Sequence, residues 1–303
     1  MMGYLPTLLS LLAVAIAVGL ALNMQWGLGG LVNFGLAGFY AVGAYTAALL
    51  SLAGVPPLAA AFAAMVVTAI LSGLVSFVSL RLAEDHLAIV TLGFAELVHL
   101  AMLNEIWLTR GSLGLPGIPR PLSTFVAPAY SDLAFAALAL ALVALVYVLL
   151  ECLAISPFGR ALRAVRDDDV VAATLGKNVL WIRMQAFGVS GAALGLAGAL
   201  HAFYYNYIDP GQFGPIITAT AFMAVIMGGR GSNLGVIIGA ATVLLLIEGS
   251  RFLKDAFLFL DATQIASVRL MLIGLGLILL LIFRPQGLLS ERRANSKHLT
   301  GGP

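Results

Sequence analysis

Charge is scarce in this sequence. Only 10% of its 303 residues are Asp, Glu, Lys or Arg, while 61% are hydrophobic. Soluble domains carry about a quarter charged residues. The chain therefore has more apolar surface than one aqueous core hides, and a bilayer is its natural solvent. A net charge of only +2 gives nucleic-acid binding no electrostatic basis. Cys152 is the one cysteine, which excludes an intrachain disulfide. With no metal-ligand spacing around it, a buried structural thiol is expected. No Lys or Arg precedes Arg81. The charged start of a signal peptide is thus missing and the apolar run is too long for one, so residues 5–24 are expected to remain as a first span. A Walker A phosphate loop is also absent, since Gly176-Lys177-Asn178 lacks the earlier glycine and the Ser/Thr. No nucleophile–base pair is evident, so the chain is not expected to be an enzyme and any energy source must come from a partner. No Gly/Ser linker interrupts the chain. Residues 1–290 are expected to form one membrane domain, with 291–303 a short polar tail.

What is present is a series of apolar runs. A spanning helix needs about 20 apolar residues. Candidates are 5–24, 27–50, 58–80, 87–103, 132–154, 185–206, 216–229, 233–250 and 268–283. The expected fold is all-α and polytopic, with about 8–10 spans. Segment 27–50 is broken by glycines, and 216–250 reads either as two short spans or as a re-entrant hairpin. Glycine is frequent, at 33 residues, as helix packing in lipid requires. Gly191 with Gly195, and Gly235 with Gly239, are spaced for that role. Gly35-Leu-Ala-Gly38 recurs as Gly195-Leu-Ala-Gly198, a faint internal repeat that a Gly/Ala-rich chain also produces by chance.

Basic residues orient the chain. With 156–183 in the cytoplasm, eleven of the sixteen Lys and Arg fall inside, among them Arg81, Arg230 and the tail. Arg110, Arg120, Arg251, Lys254 and Arg269 then fall outside, as does segment 104–131 with its Gly and Pro turns.

The long polar interruption at 156–183 is the most specific stretch. Ser156 is placed to cap a helix with Pro157 in its first turn, and Arg160, Arg163 and Arg166 follow on that helix. Asp167 or Asp168 is placed to cap a second helix, Asp169–Leu175, which holds Val171, Ala172 and Ala173, and Gly176 suits a left-handed C-terminal cap. Such a short helix is marginal alone and needs a surface to lie in. A generic basic loop that fixes topology is the plainer reading.

Polar groups within the spans are few. Glu96 and His99 lie one helical turn apart. Either they line a wet pathway, or they satisfy each other or a neighbouring helix. Thr91 is a weaker pathway candidate. Asn33, in the broken span, either presents its amide to a solute or packs helices together.

Gly159-Arg160-Ala-Leu-Arg-Ala-Val-Arg-Asp-Asp-Asp-Val-Val-Ala-Ala-Thr-Leu-Gly176 resembles the EAA-type coupling loop of ABC importer permeases, in the form found in permeases for branched-chain amino acids. The leading Glu of the general motif falls on Val170. Asp85-His-Leu-Ala-Ile-Val-Thr-Leu-Gly-Phe-Ala-Glu96 is similar to a hallmark of one of the two permease types in those importers, with His86 where Tyr is usual and His99 where Arg is usual. Asn33-Phe-Gly-Leu-Ala-Gly38, Thr109–Ile118 and Met227-Gly-Gly-Arg-Gly-Ser232 fit as well. The resemblance implies a heterodimer with a second permease, two cytoplasmic ATP-binding subunits that hold ATP and Mg²⁺, and an external solute-binding protein, in a bacterial inner membrane. It implies no cofactor on this chain. It assigns ATPase coupling to Arg160, Arg163, Arg166, Asp167, Asp168, Val171, Ala172, Ala173 and Gly176, with Ala172 expected to meet an ATPase groove. Urea, amide and aromatic-acid importers use similar permeases. A proton-coupled secondary transporter, with Glu96 and His99 as relay, is the rival of another class.

Overall fold

A computed structural model of the chain describes residues 4–79, 84–123, 126–256, 271, 274 and 287–289. The helices are α1 Tyr4–Leu22, α2 Leu36–Leu52, α3 Pro57–Ser79, α4 Glu84–Asn104, the short α5 Ile106–Thr109, and α6 Ser131–Ile155. They continue with α7 Pro157–Asp167, α8 Asp169–Thr174, α9 Val179–Tyr205, α10 Ile216–Gly228 and α11 Asn233–Ala256. Two-residue strands β1 Leu115–Pro116 and β2 Tyr207–Ile208 pair antiparallel. Six described stretches are long and apolar enough to cross a membrane, and α2 and residues 233–249 add two shorter apolar helices. The chain is a multi-pass membrane protein. The expected span 268–283, apart from residues 271 and 274, and the tail 291–303, with Arg81, lie outside the described residues.

Helix α9 is the axis of the bundle. It packs on α3, α2 and α1, and α1 in turn contacts α6, α10 and α11. Close approach is achieved with small residues, as expected where both partners are apolar and only fit distinguishes interfaces. At the α2–α9 crossing, a Cβ added at Gly43 would lie 2.6 Å from the Cα of Gly195. Gly191 packs on Thr68 and Ser72 of α3, and Gly235 and Gly239 pack on α10. The two copies of Gly-Leu-Ala-Gly thus serve different contacts: Gly38 meets Ala95 of α4, whereas Gly198 meets Tyr40 and Ala44 of α2.

The broken second span has a structural cause. Helix α1 ends in a π-helical turn, Asn23–Leu28. Residues 29–35 then run without helix before α2 starts. Segment 216–250 forms two helices, α10 and α11. Asn23 and Asn233 meet at one end of α1, while Tyr4 and Glu248 meet at the other, so α11 runs the length of α1.

Segments expected on one side gather at one end. Arg166 and Arg230 both reach the carbonyls of Trp26–Gly27, and Leu288 and Leu289 bond to Met227 and Gly228. At the opposite end, β1 and β2 pair, and Arg120 reaches Asp132 and the carbonyl of Tyr204. Cys152 is exposed on the chain, contrary to the buried thiol expected. Helix α6 buries the face carrying Val143, Val146, Leu150 and Ala154, and position 152 lies off that face.

Candidate functional site

The polar loop folds as two capped helices. The Ser156 hydroxyl accepts from the Gly159 N–H, and Pro157 occupies the first turn of α7. The Asp168 carboxylate, not that of Asp167, caps α8 by accepting from the Val171 N–H at 2.9 Å. Asp167 instead pairs with Arg166 at 3.1 Å. Gly176 sits at φ +77°, and the N–H groups of Gly176 and Lys177 close the end of α8 on Ala173 and Ala172. Asp169 holds Arg183 of α9 at 3.1 Å.

The basic side chains fold back onto backbone carbonyls. Arg160 and Arg163 donate to the carbonyls of Ile155 and Ala154, at 3.2 and 2.9 Å, satisfying the open end of α6. Arg166 donates to the Gly27 carbonyl at 2.7 Å. Leu162 and Val165 are buried against the bundle.

Helix α8 differs from expectation in its facing. Ala172 is only 3% exposed and packs within the chain, so it is not the residue presented outward. Val170, Val171 and Leu175 are 69%, 52% and 75% exposed and form the outer apolar surface, with Ala173 beside them. Helix α8 lies close against α7 and α9, and the small side chain of Ala172 occupies its inward place.

The pathway candidates separate into two groups. Asn33 and Thr91 are fully buried structural struts. The Asn33 amide donates to Gln25 at 2.8 Å, its oxygen accepts from the Gly35 N–H at 2.7 Å, and Gln25 continues to Ser190 of α9. The Thr91 hydroxyl accepts from the Phe34 N–H at 3.1 Å and donates to Ala88. These bonds replace the backbone partners that residues 29–35 lose by leaving the helix. Asn33 therefore orders the break. Glu96 instead is exposed, on a groove of about 550 Å³ between α3 and α4 lined by Leu74, Val78, Gly93 and Leu97. Glu96 and His99 share no hydrogen bond among the described residues, and His99 Nδ1 is buried without a partner there.

Several polar residues escaped the sequence reading. Glu151 accepts from Asn233, which in turn accepts from Asn23, and Asn23 accepts from the Gly231 N–H. The buried Glu248 accepts from Tyr4, and His201 meets Gln212. Each was visible only as an isolated polar residue in an apolar run, the same signal that marked Glu96. Among the described residues no cluster of three His, Cys, Asp or Glu is arranged to hold a metal.

The family described as "Branched-chain amino acid transport system / permease component" has a model that matches residues 4–282. The chain belongs to this family. It is 35% identical, over 96% of its length and 71% of the relative's, to the high-affinity branched-chain amino acid transport system permease protein LivM of Escherichia coli (strain K12). It is 28% identical, over 91% of its length and 90% of the relative's, to a probable branched-chain amino acid transport permease protein LivM of Methanocaldococcus jannaschii. It is also 27% identical, over 90% of each chain, to the permease protein LivH of Escherichia coli (strain K12). As a permease component, the chain is the membrane-embedded part of a transport system and works with other components. It is not an enzyme.

Proposed function

We propose that this chain is one of two related permease subunits of an ATP-binding-cassette importer in a bacterial inner membrane, and that its cargo is branched-chain amino acids. Two cytoplasmic ATP-binding subunits, which hold ATP and Mg²⁺, and an external solute-binding protein complete the assembly. The observation that carries the reading is the α7–α8 loop. It presents Val170, Val171 and Leu175 as an exposed apolar patch on a short, doubly capped helix, at an end of the bundle that also gathers Arg166 and Arg230. Such a patch suits a groove on an ATP-binding subunit. Arg160, Arg163 and Arg166 hold the loop to the bundle, so force on α8 passes into the spans. The cargo assignment draws on the similarity to permeases named for branched-chain amino acids.

The pathway runs at the seam with the second permease, along the α3–α4 groove that carries Glu96. A carboxylate at this depth is costly against lipid, so protein or water covers it. The test is ATP-driven uptake in proteoliposomes that contain this chain with its partner subunits and binding protein. Labelled leucine, isoleucine or valine should accumulate, and excess urea or amide should not compete. Accumulation that follows a proton gradient without ATP overturns the reading.

A further inference from the structure

A cavity of about 280 Å³ lies within the chain, between α1, α2, α9, α10 and α11. It is separate from the α3–α4 groove and from the α7–α8 loop. Its wall is divided by chemistry. Tyr40, His201 and Glu248 contribute polar groups, while Val18, Ala224 and Val243 make an aliphatic wall. Glu248 is 6% exposed and accepts a hydrogen bond from the Tyr4 hydroxyl at 2.7 Å. The Tyr40 side chain is buried and lines the cavity. His201 is held by Gln212 at 3.0 Å, and Gln212 in turn donates to Asp209 at 2.7 Å. Tyr4 begins α1, and Gln212 and Asp209 adjoin β2, so these groups lie toward the end of the bundle opposite α7 and α8.

A buried ionisable group in an apolar helix is a candidate functional site. Here the carboxylate shares a cavity wall with a hydroxyl and an imidazole, and the aliphatic part of the wall offers no hydrogen bonds. The room is at the small end of ligand pockets, which start at roughly 300 Å³. We propose that this cavity binds a small zwitterion with an apolar side chain, that is, a free aliphatic amino acid. Its ammonium group meets Glu248, its carboxylate meets Tyr40 and His201, and its side chain lies against Val18, Ala224 and Val243. The zwitterion follows from the cavity alone. Naming a branched-chain amino acid rests on the function proposed above.

The test uses the complex of this chain with its partner subunits in lipid nanodiscs, without the solute-binding protein. Thr220, in the cavity wall, is changed to Cys in a Cys152→Ser background. Labelling by a small uncharged thiol reagent is followed as a mass shift on this chain. L-leucine should slow labelling at least fivefold, while isobutylamine and isovalerate, each lacking one charged group, should protect far less. Glu248→Gln should abolish protection. If that variant does not assemble, Ala221→Leu, which fills the cavity, replaces it. Unchanged labelling at saturating leucine overturns the proposal. So does protection that survives both variants, or protection by added lipid in place of leucine. Leucine uptake by the complete transporter without protection refutes this site alone. Protection by leucine without leucine uptake keeps the site and refutes the cargo.

Discussion

Adjacent residues of α8 should fail in different ways when changed. Leu175 is 75% exposed on this chain, and Leu175→Ala removes three carbon groups from the outer surface. At about 0.8 kcal/mol per buried CH₂, discounted for the part already covered, docking loses about 2 kcal/mol, roughly 30-fold in affinity. Val171→Ala, from a residue 52% exposed, loses about 1 kcal/mol on the same basis. Both changes act mainly on the outer surface, so permease levels in the membrane and resistance of the loop to proteolysis should stay near wild type. Ala172→Glu is a different perturbation. It places a carboxylate where the side chain is 3% exposed, at several kcal/mol unless paired. Helix α8 should detach, and segment 156–183 should become protease-sensitive before any effect on docking is read. The assay is recovery of the ATP-binding subunits with tagged permease at limiting concentration, alongside limited proteolysis of the loop. Normal recovery with Leu175→Ala, or a docking loss with an intact loop for Ala172→Glu, refutes the facing of α8 and the surface assigned to it.

Three further outcomes follow from the geometry. Gly43→Leu should force α2 from α9, since even a Cβ there would lie 2.6 Å from Gly195, and the purified complex should lose several degrees in Tm. Gln25→Ala should strand the buried amide of Asn33, at about 1–3 kcal/mol, and lower both Tm and uptake, whereas the exposed Glu96→Gln should lower uptake and leave Tm unchanged. Single cysteines placed at Ser112 and Lys177, in the Cys152→Ser background, should react with an impermeant thiol reagent in intact cells only at 112; the reverse pattern overturns the orientation.

Much of this fold was legible because lipid imposes length and composition on each span. The ends of α3, α4, α6 and α9 fall within a few residues of the apolar runs, except that α9 begins at Val179, before the run at 185. Ser156, Asp168 and Gly176 were readable because a cap is a local device, fixed by residues within one turn. Facing was not legible. In a soluble protein the polar stripe shows which side is out, but lipid-facing and core-facing positions here are both apolar. Nothing in sequence therefore separated Cys152 from Leu150, or the exposed Glu96 from the buried Glu248. The buried polar chains were hidden for another reason. Gln25 finds Ser190, and Asn23 finds Asn233, across most of the chain, and only the tertiary fold brings them together. Arg166 reads as a surface charge until Gly27 is seen to receive it.

That last contact bears on how the loop and the spans are joined. The arginines of α7 reach the bundle at two kinds of place. Arg160 and Arg163 bind α7 to the end of α6, which is its neighbour in sequence, so those bonds only stiffen a corner. Arg166 instead binds it to Gly27, at the π-helical end of α1, and its aliphatic stem lies against Gly30. From there the chain passes in three residues to Asn33, whose amide is tied through Gln25 to Ser190 on the central helix. A charged hydrogen bond of this kind contributes about 1.5–3 kcal/mol. A shift of α7 must therefore either carry the α1 break with it or give up that energy. The polar loop is thus anchored to the break between the first two spans, and α9 is tied to it directly through Asp169 and Arg183.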